Sequence, residues 1–256
     1  MKLFYRELGE GNPLVLLHGV FGASDNLLTI AKLLAGKYKV YIVDARNHGQ
    51  SPHNTEFTYE AMADDLCVFI EEKQLKKPVL VGHSMGGKTV MKFAATREAM
   101  AEKFIILDIS PRYYPRHHDQ ILEGLNAIDV ENIGSRGAAD KKLAAYIPEL
   151  GVRQFLLKNL ERTEEGGLRW KLNLPVITEK IENIGEGLPD DVRVTKPILF
   201  IRGGKSGYIR EEDKNLIHKL FVNARIETVE NADHWLHAEQ PEQVVALMEN
   251  FIETSL

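Results

Sequence analysis

Pro78-Val79-Leu80-Val81-Gly82-His83-Ser84-Met85-Gly86-Gly87-Lys88-Thr89-Val90-Met91-Lys92-Phe93 is the stretch that decides the fold. Four residues, three of them apolar and branched, lead into a G-x-S-x-G turn, and the turn leads into an apolar periodic run. This is strand, sharp turn and helix in the order that exposes a serine hydroxyl at the top of a sheet. The chemistry sets the spacing. Ser84 has to stand on a strained turn, clear of the backbone, and Gly82 and Gly86 omit the Cβ atoms that would collide where strand and helix close around it. The helix that starts here aims its N-terminal amides at developing negative charge. The competing reading is a glycine-rich turn between buried elements; the strand and helix on either side favour Ser84 as a nucleophile.

Upstream, Leu14-Val15-Leu16-Leu17 is a continuous apolar run, as expected of a strand covered on both faces, and it enters His18-Gly19-Val20-Phe21-Gly22. A helix is expected from Ser24, with Ser24 or Asp25 as its cap. Tyr38 to Val43 reads as the next strand, and Thr58 as the cap of a helix running to Glu72. Downstream, Lys103 to Asp108 is a further strand. Strands alternating with helices imply a mostly parallel, doubly wound α/β sheet with helices on both faces. Met1 to Leu8 alternates enough to add a strand at the front.

The rhythm breaks after Ser110. Between Pro111 and about Val194 the pattern is helical: His117–Ile128, Ala138–Ile147, Val152–Leu160 and Pro175–Ile184, with Leu168–Leu172 a short extended piece. The sheet resumes at Pro197-Ile198-Leu199-Phe200-Ile201, then Arg225–Val229, and the chain closes with a helix from about Pro241 to Glu253. The expected organisation is a core of residues 1–110 and 195–256 with a helical lid, 111–194, inserted into it; long insertions at such loops are tolerated and often functional.

A serine needs a base, and the base needs an orienting group. In a doubly wound sheet, candidates follow the carboxyl ends of strands. His18 and His48 sit in tight glycine turns and read as structural, His83 points away from its neighbour Ser84, and His237 reads as packing. His234 follows the last strand and comes after the serine in the order Ser…Asp…His, so it is the expected base. The loop after the Pro197–Ile201 strand has no carboxylate. Asp108, at the end of the strand next to the serine strand, is the expected orienting acid. Glu211, Glu212 and Asp213 read as the acidic first turn of a helix, with Asp213 the rival for the acid role. The backbone amides of Met85 and Val20 are the expected oxyanion donors. Phe21, Tyr113, Tyr114, Phe155, Trp170 and Trp235 are candidates for an acyl pocket. Lys88, one turn into the helix after Ser84, reads as structural, and Arg46-Asn47-His48-Gly49 as a brace for the loop around Val20. His117-His118-Asp119 resembles a metal cluster only superficially, because adjacent helical residues diverge by about 100°; a solvated face is expected there.

Bulk properties exclude other classes. A net charge of −5 with no basic tract offers nothing to a nucleic acid backbone. One cysteine, Cys67, precludes an intramolecular disulfide. The first residues lack the apolar core of a signal peptide, and no apolar run spans a bilayer. A cytoplasmic protein without stable membrane association, monomeric or homodimeric, is expected.

LLHGVFGASDN (16–26), DARNHGQSP (44–52), GHSMGGKTVMKFA (82–94), LDISP (107–111) and ADHWLHAEQP (232–241) together resemble the α/β-hydrolase superfamily, and within it YbfF-type bacterial esterases. The resemblance implies an α/β-hydrolase fold and a serine hydrolase with a helical lid, acting on small-molecule esters or acyl thioesters, with no metal or organic cofactor. It also implies that the acid is the aspartate of a D-I-x-P element, here Asp108-Ile109-Ser110-Pro111. The same triad serves C–C bond hydrolases and perhydrolases, and a ligand-binding sensor with negligible turnover could keep it too.

Overall fold

The computed structural model describes residues 1–254. Its strands are β1 (Tyr5–Leu8), β2 (Asn12–Leu17), β3 (Tyr38–Val43), β4 (Val79–His83), β5 (Phe104–Leu107), β6 (Leu160–Arg162), β7 (Leu168–Trp170), β8 (Ile198–Gly203) and β9 (Ala224–Val229). Its α-helices are α1 (Leu28–Leu34), α2 (Tyr59–Glu72), α3 (Met85–Arg97), α4 (Asp119–Asn126), α5 (Arg136–Leu143), α6 (Leu150–Leu157), α7 (Leu174–Lys180), α8 (Asp213–Leu220), α9 (Leu236–Glu239) and α10 (Pro241–Glu253).

Seven strands form one sheet in the order β1-β3-β2-β4-β5-β8-β9; β1 pairs antiparallel and every other neighbour parallel. Successive side chains of a strand face opposite sides. Leu14 and Leu16 therefore enter the core under α1 and α10, whereas Val15 and Leu17 enter the core that includes α2 and α3 residues such as Leu66, Phe69 and Phe93. Each such side chain, fully buried, contributes about 1.5–3 kcal/mol. The chain leaves β2 toward β3 and crosses back to β4, so strand order reverses between β2 and β4. A crevice opens at such a switch point, beyond the carboxyl ends.

Helix starts follow side-chain chemistry. Thr58 caps α2 as expected, its hydroxyl accepting from the Ala61 N–H at 3.2 Å. The Ser24 expectation fails. Residues Ser24–Leu27 form a 3₁₀ turn that precedes α1, with Ala23 at its cap position. Ser24 is occupied elsewhere: its N–H donates to Asp44 and its hydroxyl accepts from Arg6, while Asp25 pairs with Arg6.

Between β5 and β8 lie α4 to α7 and the antiparallel hairpin β6–β7, which replaces the end of the helix expected over Val152–Leu160 and takes in the first three residues of the extended piece expected over Leu168–Leu172. The last expected helix of this segment ends at Lys180 and tightens into a 3₁₀ turn, Ile181–Gly185. Its apolar residues form a third core with Phe21, Phe57, Tyr59, Met62 and Met85 of the sheet-bearing part, so the segment is packed down over the crevice.

Candidate active site

Ser84 follows β4 with φ 52° and ψ −117°, a left-handed strained conformation for a residue with a side chain. The turn is closed tightly enough to exclude any Cβ at its glycines. One on Gly82 would lie 2.2 Å from the Gly86 carbonyl oxygen, and one on Gly86 2.4 Å from that of Leu17.

The parallel ladder brings the next groups alongside. His83 is level with Leu107, and Leu107 with Ile201. The Ser84 N–H then donates to the Leu107 carbonyl at 3.1 Å, and the Asp108 N–H to that of Ile201 at 2.8 Å. Asp108, with φ 50°, turns its fully buried carboxylate toward the end of β8. Its Oδ1 accepts from the Gly203 N–H at 3.0 Å, and its Oδ2 accepts from the Ser206 hydroxyl and from His234 Nδ1 at 2.8 Å. His234 is carried there by the loop after β9. The Tyr208 ring stacks on the imidazole at a centroid distance of 3.8 Å and 15° between planes. Burial, then the nearby Asp108, raises the Tyr208 hydroxyl to about 12.

Asp213 is engaged elsewhere, accepting from Arg112 Nε at 3.2 Å and from the Arg210 N–H at 2.9 Å. Sequence reasoning missed Ser206 and Tyr208. The one available signal for Ser206 was negative: a loop placed to carry a carboxylate carries a hydroxyl that reaches the carboxylate of the neighbouring strand.

Burial lowers the pKa of five more histidines, four lining the crevice and His48 behind it. His48 falls to about 3, by burial and then His18; His237 to about 3, by burial and then His234; His118 to about 3, by burial and then His117. His18 is lowered by burial against the opposing pull of Asp44, and His83 lies well below the ordinary value by burial, then His237 and His234. Neutral imidazoles of this kind act as fixed donors and acceptors. His18 accepts the Ala45 N–H at 3.0 Å, and His83 Nε2 donates to the His234 carbonyl at 2.8 Å. His48 Nδ1 donates to the Arg46 carbonyl, and its Nε2 accepts the N–H of Phe21, whose φ is 59°. Asn159 holds the Phe21 carbonyl from the opposite side at 2.6 Å. The loop around Val20 is thus braced from both sides.

A cavity of about 200 Å³ opens at Ser84 and His234, lined on its apolar side by Phe21, Ile121, Val152, Phe155 and Trp235. On the other side of Ser84 a cleft of about 20 Å³ includes Val20, Met85 and Tyr114. The N–H groups of Val20 and Met85 have no acceptor among the described residues; for Met85, this is the ordinary state of a first-turn helix amide. Phe21, Phe155, Trp235 and Tyr114 therefore border the crevice. Tyr113 does not, being 62% exposed, and Trp170 packs within the third core instead. His117 and Asp119 are exposed, as expected of a solvated face, but His117 and the half-buried His118 also line the cavity mouth, and His117 Nε2 lies 2.9 Å from the Tyr208 hydroxyl.

Residues 14–247 match the alpha/beta hydrolase family. The chain belongs to that family. It is 36% identical over 246 residues to the esterase YbfF of Escherichia coli (strain K12), covering 95% of this chain and 94% of that protein. It is also 36% identical over 254 residues to the sn-1-specific diacylglycerol lipase ABHD11 of Danio rerio, covering 96% of this chain and 80% of the relative. Among solved structures, a marine microorganism esterase superposes with a TM-score of 0.95 at 40% identity, covering 98% of this chain and 99% of that one.

Proposed function

We propose that the chain is a carboxylic ester hydrolase that cleaves esters or acyl thioesters through an acyl-enzyme. The observation that carries this reading is the bond from His234 Nδ1 to the buried Asp108 carboxylate at a crevice that also holds the strained Ser84. With its Nδ1–H donated to Asp108, His234 presents Nε2 as the acceptor, which is the tautomer a general base requires. Ser84 Oγ gives its proton to Nε2 and attacks the acyl carbon, and the N–H groups of Met85 and Val20 hold the oxyanion. Collapse expels the alcohol or thiol with the proton returned by His234. Water, deprotonated the same way, then releases the carboxylic acid. Each proton has a carrier and each charge a partner among these groups, so the cycle calls on no metal or organic cofactor.

The apolar wall of the larger cavity suits an apolar acyl group. The names of the relatives, an esterase and a diacylglycerol lipase, support an ester of that kind. Residues 111–194 serve in this reading as a lid on a core of 1–110 and 195–256, excluding water from the crevice. The reading places the enzyme in the cytoplasm, as a monomer or homodimer.

Treatment with an alkyl fluorophosphonate, followed by peptide mass spectrometry, tests the assignment. One adduct on the peptide carrying Ser84 is expected, with none in Ser84→Ala. Labelling of a different residue, or none at all, overturns it.

A further inference from the structure

Lys88 lies one turn into α3, and 1% of it is exposed. Burying an ammonium group is costly unless its donors are met. Its Nζ donates to the Arg112 carbonyl at 2.5 Å and the Glu186 carbonyl at 2.7 Å, and stands 5.1 Å from the centre of the Tyr114 ring. No carboxylate makes an ion pair with it among the described residues. It does not line the cavity or the cleft at Ser84.

The identity of the two carbonyls gives the arrangement its meaning. Arg112 is on the stalk by which the chain leaves β5 for the inserted segment, and Glu186 on the stalk by which it returns. The stalks are themselves joined, Tyr114 N–H to the Gly185 carbonyl at 2.7 Å and Leu188 N–H to that of Pro111 at 2.9 Å. From here the contacts run to the crevice. The Tyr114 hydroxyl accepts the Ser110 N–H and donates to the Tyr208 carbonyl, and the Tyr208 ring covers His234.

We propose that Lys88 is a positioning residue that fastens both stalks of the inserted segment to the helix beginning at Ser84, and thereby holds the roof of the crevice and the Tyr208 ring in place over His234. Only the kinetic consequence of this proposal rests on the ester hydrolase reading; the fastening itself does not. A single amine on a long stem suits the task because it keeps at least two N–H donors whether charged or neutral, one for each stalk's carbonyl.

Hydrogen–deuterium exchange on Lys88→Met and Lys88→Gln, read beside ester kinetics, provides the test. Losing the two hydrogen bonds corresponds to roughly tenfold or more in local opening, so the Tyr114 and Leu188 amides should exchange at least about tenfold faster. Amides of β4 and β5 should keep their protection. For a p-nitrophenyl ester of medium chain length, KM should rise by about tenfold with kcat changed by less than about threefold, because the roof and the Tyr208 ring are loosened while the bond that orients His234, to Asp108, is kept. Unchanged exchange at Tyr114 and Leu188 in both variants overturns the proposal. So does a uniform rise that includes β4 and β5, which would make Lys88 a residue of the general core. If the wild-type protein hydrolyses no ester, the hydrolase reading fails, and the exchange pattern still decides the fastening.

Discussion

Asp108→Asn is nearly isosteric, and the hydrogen-bond directions around Asp108 determine its effect. Oδ1 accepts from the Gly203 N–H and Oδ2 from His234 and Ser206. An asparagine at this site has one oxygen, and the backbone donor of Gly203 cannot move away, so that oxygen faces Gly203. The amide NH₂ is then presented to His234 Nδ1. Two donors cannot face each other, so His234 takes the tautomer with hydrogen on Nε2, which cannot accept the Ser84 proton. The wrong tautomer costs about 10³–10⁴ in kcat, or roughly 4–5.5 kcal/mol at 1.36 kcal/mol per decade. The fold should survive, because the Gly203 bond is kept. Steady-state kcat with p-nitrophenyl butyrate, circular dichroism of the variant and a parallel Asp213→Asn form the assay. Asp213 is held by Arg112 and Arg210, so its variant should stay within about tenfold of wild type. An Asp108→Asn enzyme within tenfold of wild type, or an Asp213→Asn enzyme that loses a thousandfold, refutes the reasoning.

Ser206→Ala removes one hydroxyl from Oδ2 and leaves the His234 bond in place, so kcat should fall by about tenfold, measured against the same ester. His48→Phe leaves the buried Phe21 N–H unpaired and should cost about 1–3 kcal/mol in urea unfolding, with a loss of kcat from the loosened Val20 loop. Lys88 gives a pH dependence. Burial first, then Arg112, lower it to about 7 against the pull of Glu186 and Asp213, while the Tyr114 ring faces it. An unfolded lysine keeps its proton to its ordinary value of 10.5, so between pH 7 and that value the unfolded state binds more protons and stability rises with pH. The stability of wild type relative to Lys88→Met should therefore climb by at most about 1.4 kcal/mol per pH unit in urea melts from pH 7 to 9.5. A flat or falling difference contradicts this.

The sheet was legible because it is covered on both faces, which turns its central strands into continuous apolar runs such as Leu14–Leu17 and Phe104–Leu107. The Ser84 turn was legible because its geometry admits little but glycine beside the serine. Asp108 came partly from the pattern and partly by elimination, and the ladder register then places it beside Ser84. The inserted segment was less legible. Strands of three residues, β6 and β7, are too short to show a period of two, so Leu160 read as the end of a helix. Ser24 has the composition of a cap, but long-range partners, Arg6 and Asp44, claim its polar groups, and no local pattern reports them. The same holds for Tyr208, whose stacking on His234 depends on two loops meeting. Tyr113 and Trp170 show the limit of composition: an aromatic residue in the inserted segment can line the crevice, pack internally or face solvent, and its neighbours in sequence do not distinguish these.

Hydrolysis of p-nitrophenyl esters from acetate to palmitate, by wild type beside Ser84→Ala, tests the acyl-enzyme reading most directly. Turnover by the wild type is expected to favour an apolar acyl chain over acetate and to disappear in Ser84→Ala. Turnover that persists in Ser84→Ala, or a wild type no faster than the variant at any chain length, contradicts it.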